Sequence, residues 1–195
     1  MAFDGVFLYG LAKELEDALR GGRVDRIQQP EADEIHITVR NKGGNHKLLL
    51  SASANHPRIH LTRQSKINPF TPPMFCMALR KHLSGARLSF IKQLGMDRIL
   101  KIGFASINEL GDSSEKFLVI EIMGRHSNII LIDSDDLILA AIKHVNQNIS
   151  RVREVLPGRS YTYPPSQNKI DPLAAQALDV EEVLLSSKPG SSPVD

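Results

Sequence analysis

Tryptophan is absent from this sequence, and aromatic residues make up only 5% of it. A core of this composition must consist mostly of Leu, Ile and Val. No apolar run approaches the roughly 20 residues that a membrane helix needs, and the first residues lack the basic and apolar regions of a secretory signal. Cys76 is the single cysteine, so it cannot form an internal disulfide, which fits a reducing compartment. These absences favour a cytoplasmic globular protein without a membrane partner.

The excess of positive over negative charge is also small, since the formal net charge is only +2. A strong nucleic-acid binder usually carries a larger cationic excess. Any surface that contacts RNA is therefore expected to be a local patch.

The common catalytic and metal-binding motifs are missing. There is no P-loop, GxGxxG, HExxH, GxSxG or paired CxxC. His56 and His60 are four residues apart, but Pro57 lies between them in a predicted strand, so a metal site is not expected. Cys76 lies in an apolar stretch and is interpreted as a buried thiol rather than a nucleophile. We therefore expect no enzyme activity, cofactor or metal.

Hydrophobic periodicity predicts an α+β domain with an antiparallel, sandwich-like β core and two helices. Asp4 is placed to cap the first helix. In the second strand Ile35, Ile37 and Val39 alternate with polar residues, which predicts one solvent-facing side. The expected helices are 5–20 and 73–83, and the expected strands are 24–29, 35–40, 47–53, 58–63, 86–93, 98–107, 116–123, 128–132 and 137–143.

The composition of the sequence changes after Leu156, where prolines become frequent and indicate a linker. We expect the amino-terminal domain to cover 1–165. Residues 166–195 are expected to be linker and the start of a truncated helical segment.

Two short segments are candidates for function. Gly124 to Asn128 joins two apolar strands, and its loop would display Arg125 and His126, which suits contact with phosphate but also fits an ordinary polar turn. Asp97 and Arg98 enter another predicted strand. From the residues alone, Asp97 would cap the preceding turn and Arg98 would bridge to a carboxylate elsewhere.

Several motifs together resemble the amino-terminal domain of the NFACT family, whose bacterial members are called RqcH or fibronectin-binding protein A. The resemblance covers about residues 1–172. In chain order it is carried by Phe3-Asp4-Gly5, Lys47 to Ala52, Asn68 to Leu83, Asp97-Arg98-Ile99, Glu121 to Leu131, and Leu156-Pro157-Gly158 with Tyr161 and Pro164-Pro165.

The resemblance implies a role in ribosome-associated quality control. Family members bind an obstructed large (50S) ribosomal subunit that carries peptidyl-tRNA, bring in alanyl-tRNA (tRNA-Ala), and support template-free alanine tailing of the stalled chain. The ribosome makes the peptide bonds, so this protein would position substrates. The family's functional pairs fall on Asp97-Arg98 and Glu121-Ile122, which are expected to engage tRNA.

The resemblance extends to the fold of the amino-terminal domain of formamidopyrimidine-DNA glycosylases. Those enzymes use an amino-terminal proline nucleophile with an adjacent glutamate, and here Ala2 and Phe3 stand in those places. Glycosylase chemistry is therefore not expected. An extracellular fibronectin- or fibrinogen-binding adhesin is the alternative function, suggested by the older family name.

Overall fold

The first helix of the computed structural model, which describes residues 4–107 and 113–165, begins where the sequence predicts it. Helix α1 spans Gly5–Leu19, and the Asp4 carboxylate accepts a hydrogen bond of 2.7 Å from the Phe7 backbone N–H. This contact satisfies one of the donors that a helix start leaves open. Its buried residues recur at helical spacing and form one inward stripe: Leu8, Ala12, Leu15 and Leu19.

In the described residues, nine strands form one antiparallel sheet with the order β4-β3-β2-β1-β5-β6-β7-β8-β9. Helix α2, Met74–Leu83, lies between β4 and β5 in the chain. The strands are β1 Arg23–Glu31, β2 Glu34–Asn41, β3 Gly44–Ser51, β4 Arg58–Thr62, β5 Arg87–Gln93, β6 Ile99–Ile107, β7 Ser113–Glu121, β8 Asn128–Asp133 and β9 Ile138–Ala141.

The sheet consists of two halves, β1–β4 and β5–β9, that share one core. Their junction is narrow, because β1 and β5 have the single register pair Arg23 and Arg87. Buried side chains of both halves pack in the same cluster with those of α1 and α2, among them Ile37, Leu79 and Leu118. The prediction of an antiparallel α+β domain with two helices is confirmed. The two halves belong to one continuous sheet rather than to two separate ones.

A second apolar cluster covers the opposite side of β6–β9. It combines Val119, Ile130 and Ile132 of the strands with Val155 and Tyr161 from the irregular segment that follows β9. Every residue of β8 from Asn128 to Ile132 is therefore buried. Parts of the segment that follows β9 are thereby packed against this side of the sheet.

One predicted feature of β2 is wrong. His36, expected on a solvent-facing side, is only 3% exposed. Its Nε2 lies 2.9 Å from the Glu34 carboxylate, and Glu34 also receives Arg58 at 3.0 Å and Lys66 at 2.8 Å. The cations of the chain that follows β3 therefore cover this end of β2, and the face is open to solvent only towards Arg40.

The described residues up to Pro164 form one compact unit. The turn expected after β6 lies largely in 108–112, and the helical segment expected at 166–195 lies beyond Pro165, so both fall outside the described residues. The expected end of the domain at 165 remains a prediction. None of the described helices combines the length and apolar character needed to cross a membrane.

Candidate nucleic-acid interface

The two residue pairs that the family resemblance predicts to be functional lie side by side at one end of the β6–β7 ladder. Ile99 is the register partner of Glu121. One step further, the Ile122 N–H donates a hydrogen bond of 2.8 Å to the Arg98 carbonyl. The antiparallel pairing therefore joins Asp97-Arg98 and Glu121-Ile122, which are distant in sequence, in one site.

The turn between β5 and β6 sets the position of Asp97 and Arg98. Gly95 takes a positive φ of 58°, a conformation that glycine adopts without steric cost. The Gln93 side-chain amide donates to the carbonyls of Asp97 and Gly5, both at 2.9 Å. This side chain thus ties the turn to the first residue of α1.

The Asp97 and Arg98 side chains are both exposed. Within residues 4–107 and 113–165, neither side chain takes part in a hydrogen bond or ion pair. Neither the expected cap by Asp97 nor the expected bridge from Arg98 is present in that part of the chain. The pair therefore presents an unneutralised carboxylate and an unneutralised guanidinium to solvent.

Glu121 is fully buried and holds the neighbouring segment in place. The Arg153 guanidinium binds both of its carboxylate oxygens, with Nη1 at 2.8 Å from Oε1, and the Tyr161 hydroxyl donates to Oε1 at 2.8 Å. Arg153 Nη1 also donates to the Thr162 carbonyl at 2.9 Å. This two-point ion pair, which is among the strongest charge-assisted geometries, fastens 153–162 to the end of β7.

The pKa values of the two partners reflect this environment. Burial by itself lowers the pKa of Arg153, but the hydrogen bonds and negative charge of Glu121 outweigh burial and raise it. Burial raises the pKa of Tyr161, and the Glu121 charge raises it further. Arg153 therefore stays charged and Tyr161 stays a hydrogen-bond donor across the physiological pH range.

The burial of Glu121 and Ile122 leaves neither side chain free to touch RNA. Ile122 is 1% exposed, and its backbone holds Arg98. A part in tRNA engagement, which remains a prediction, would be indirect for this pair. Sequence reasoning missed Arg153 altogether, because no local motif marks it, and it noted Tyr161 only as part of the family pattern.

Arg125 and His126 lie in a short 3-10 helix, Gly124–His126, rather than in a simple hairpin turn. Both side chains are exposed as predicted, and their contact with RNA remains a prediction. Arg125 Nε lies 3.0 Å from His126 Nε2, a bond that needs this imidazole nitrogen unprotonated. Ser127 is buried below them and accepts from the Met123 N–H at 2.8 Å. The hydrogen bond between Ser127 and Met123 therefore holds the backbone of the loop that displays Arg125.

Outside this site, the residues considered for other chemistry do not assemble. No group of three or more His, Cys, Asp or Glu capable of holding a metal occurs in residues 4–107 and 113–165. Cys76 is buried, and burial raises the pKa of its thiol. The interpretation of Cys76 as a buried core thiol is confirmed.

A comparison with known families identifies the chain. Residues 4–193 match the family model of the NFACT N-terminal and middle domains, so the chain belongs to the NFACT family. It is 46% identical over 181 residues to the Rqc2 homolog RqcH of Bacillus subtilis, which covers 92% of this chain and 32% of that protein. It is 31% identical over 145 residues to the ribosome quality control complex subunit 2 of Saccharomyces cerevisiae, covering 74% of this chain and 13% of that protein.

Among solved structures, the chain resembles the amino-terminal domain of the fibronectin-binding protein PavA from Streptococcus pneumoniae. The TM-score is 0.88 at 40% identity, covering 96% of this chain and 70% of that one. The chain spans about a third of the length of its Bacillus relative. Activities of the whole relatives therefore do not transfer directly to this chain.

Proposed function

We propose that this chain acts in ribosome-associated quality control, in the cytoplasm, as a substrate-positioning factor rather than an enzyme. In this role it engages tRNA-Ala on an obstructed 50S subunit that carries peptidyl-tRNA. It thereby supports template-free alanine tailing of the stalled chain. Family membership supports the general role, as do the names of the bacterial and yeast relatives.

The observation that carries the proposal is the exposed, unpaired state of Asp97 and Arg98 in a turn that is held from three sides. Gln93 at the end of β5 donates to the Asp97 carbonyl in the turn and to the Gly5 carbonyl of α1, and the Ile122 N–H, just after β7, donates to the Arg98 carbonyl. Arg98 supplies a planar, permanent cation for a phosphate or a base edge. Asp97 accepts from a ribose hydroxyl or a base amine. Because these hydrogen bonds fix the backbone of the turn, both residues start from defined backbone positions, which lowers the cost of ordering them when RNA binds.

The test is the double substitution Asp97→Ala/Arg98→Ala in the full-length protein. Both side chains are exposed, so the free energy of unfolding should change by no more than about 0.5 kcal/mol. Alanine tailing of stalled chains should be abolished, while retention on 50S subunits should persist. The matched control is Asp17→Ala/Arg63→Ala, which removes the same two residue types from exposed positions elsewhere. Normal tailing by the Asp97/Arg98 variant, or its failure to fold, would reject the assignment.

A fibronectin- or fibrinogen-binding adhesin is the second candidate, and the fibronectin-binding name of the PavA structure favours it. Retention on purified 50S subunits and on immobilised fibronectin, compared at physiological salt, separates the two functions. The proposed function predicts retention on the subunit alone. A fold relationship to formamidopyrimidine-DNA glycosylases also stands as a proposal, without the glycosylase reaction.

A further inference from the structure

Three arginines lie in one row across adjacent strands, away from the site described above. Arg23 of β1 is the register partner of Arg40 of β2 and also of Arg87 of β5. Directly opposed residues of an antiparallel sheet project from the same face. All three side chains are exposed. The row Arg40-Arg23-Arg87 therefore forms a continuous cationic line across the junction of the two half-sheets.

Backbone carbonyls orient two of these guanidinium groups. Arg23 Nε donates to the Gly85 carbonyl at 3.1 Å, and Arg87 Nη1 donates to the Gly21 carbonyl at 3.2 Å. Gly85 adopts a φ of +78°, and a Cβ there would lie 3.2 Å from Arg23 Nη2, so the guanidinium packs closely on this glycine. Each guanidinium has five N–H donors, and the carbonyl bond of Arg23 and that of Arg87 each use one donor. The others remain available to a ligand.

The nearby acids form no ion pairs with this row in the described residues. Asp25 lines a cleft of about 220 Å³ together with Arg23 and Arg40, yet no ion pair joins any of the three arginines to a carboxylate in the described residues. Glu115 lies opposite Ala105, which is the partner of Arg87 on β6, and it forms no ion pair with the row either. Like charges directly opposite each other destabilise a sheet. The row is thus an unfavourable arrangement for the isolated fold, which an external anion would relieve.

We propose that the Arg40-Arg23-Arg87 row binds the phosphodiester backbone of RNA. Strands are spaced by roughly 4.8 Å, so three adjacent arginines extend over about 10 Å, which suits a polyanion better than a single small anion. Planar guanidinium forks match phosphate oxygens. The choice of RNA as the polyanion rests on the proposed function.

This surface is distinct from the Asp97/Arg98 site. Arg87 begins β5, and Asp97 follows the end of that strand. At about 3.3 Å per residue, the two positions are separated by roughly 20 Å along β5. The row would therefore add a sequence-independent phosphate contact at the end of the sheet opposite to the functional pair.

The test is the triple substitution Arg23→Gln/Arg40→Gln/Arg87→Gln in the 195-residue chain, with a tRNA transcript as the probe. The logarithm of the affinity is measured against the logarithm of the salt concentration. The affinity decreases with salt, and each lost phosphate contact makes this dependence less steep by about 0.7 to 0.9. The magnitude of the slope should therefore decrease by about 2 to 3. At about 50 mM salt the affinity should drop tenfold or more. The matched control, Lys13→Gln/Arg63→Gln/Lys81→Gln, removes three exposed cations from other elements and should have a much smaller effect.

An unchanged slope in the triple variant, or an equal loss in the control, would overturn the proposal. Binding of tripolyphosphate but not of RNA would overturn the choice of RNA, and binding of neither would overturn the site. If the triple variant does not fold, Arg40→Gln alone serves, because the Arg40 side chain makes no hydrogen bond in the described residues; its slope should fall by about 1. The tailing assay on Asp97 and Arg98 reports on the proposed function separately, so failure of one leaves the other standing.

Discussion

Gly5 lies where the start of α1 meets the turn that carries Asp97 and Arg98. A Cβ at this residue would lie 2.1 Å from the Met96 carbonyl oxygen, far inside van der Waals contact. The absence of a side chain therefore allows the turn to approach the helix. The same residue offers its own carbonyl to Gln93. This close approach gives a physical reason for glycine in the Phe3-Asp4-Gly5 motif, which sequence comparison alone does not supply.

Gly5→Ala should therefore destabilise the chain by about 1 to 3 kcal/mol, because the added methyl group forces the turn away from α1. Gly10→Ala, in the same helix, is the matched control. A Cβ at Gly10 meets nothing within 4 Å, so that substitution should stabilise by about 0.5 to 1 kcal/mol through helix propensity. Chemical denaturation of both variants measures the difference. Equal effects at the two glycines would contradict the proposed packing constraint.

The burial of Glu121 and its partners could not be predicted from the sequence around it. Sequence matching marked it as functional and said nothing of its environment. Its partners Arg153 and Tyr161 come from an irregular segment that has no periodic pattern. The burial of this carboxylate was therefore not predictable from local sequence. Its neighbours Arg125 and His126 were correctly placed at the surface, because burying their side chains without hydrogen-bond partners would cost free energy.

At the scale of strands and helices, alternation and capping residues located the two helices and nine strands of the described residues to within a few residues. The failure in β2 has a specific cause. The alternation of Ile35, Ile37 and Val39 identified the core side correctly, but the other side is covered by Lys66 and Arg58, which arrive from later in the chain. Period-two patterns describe one strand and its core face. They carry no information on what later segments place against the opposite face.

This buried cluster predicts how stability depends on pH. Burial lowers the pKa of His36, although the Glu34 carboxylate acts against that shift. The pKa of Glu34 is also lowered: burial alone would raise it, but the bonds from Lys66 and His36 outweigh burial. For both groups the unfolded chain takes up protons first as the pH falls. Stability should therefore decrease below the ordinary histidine pKa of about 6.5, and again below that of glutamate, about 4.3.

The variant His36→Gln removes the first of these losses. Its melting temperature should depend less on pH between about 7 and 5 than that of the wild type, because the variant has no imidazole to protonate at this position. His82, whose pKa burial also lowers, leaves a residual dependence. His56→Gln, which removes an exposed imidazole outside the cluster, is the matched control. Identical melting profiles for His36→Gln and the wild type would show that the cluster does not contribute.

For the whole molecule, the fold class followed from the order of helices and strands, but the closure of the sheet did not. The contact of β1 with β5 joins two strands that are separated in sequence by β2, β3, β4 and α2. It depends on loop residues such as Gly21, whose N–H donates to the Leu88 carbonyl at 2.7 Å. No periodic pattern encodes such a junction. Arg87 joins Arg23 and Arg40 only because of this closure, so the row of three arginines was not visible in the sequence.

The chain would then contact RNA at two surfaces, the arginine row and the loop with Arg125 and His126. These surfaces lie at opposite ends of the strands of the sheet. Along β6, Ala105 lies beside Arg87 of the row and Ile99 lies beside Glu121, just before that loop. Six residues of strand separate these positions by roughly 20 Å. Substitutions more than about 10 Å apart without shared partners usually act additively.

Arg125→Ala/His126→Ala should accordingly weaken tRNA binding at low salt and lower the salt slope by about 1, since Arg125 carries the permanent charge. The loss should shrink at high salt, where the wild type also binds poorly. Combined with the triple substitution in the arginine row, the two losses should add on a logarithmic scale. The control His56→Ala/Arg63→Ala removes the same residue types from other exposed positions and should retain more of the affinity. Unchanged affinity at low salt would show that the 124–126 loop does not contact RNA. Strongly non-additive losses would show that the two surfaces do not bind RNA independently.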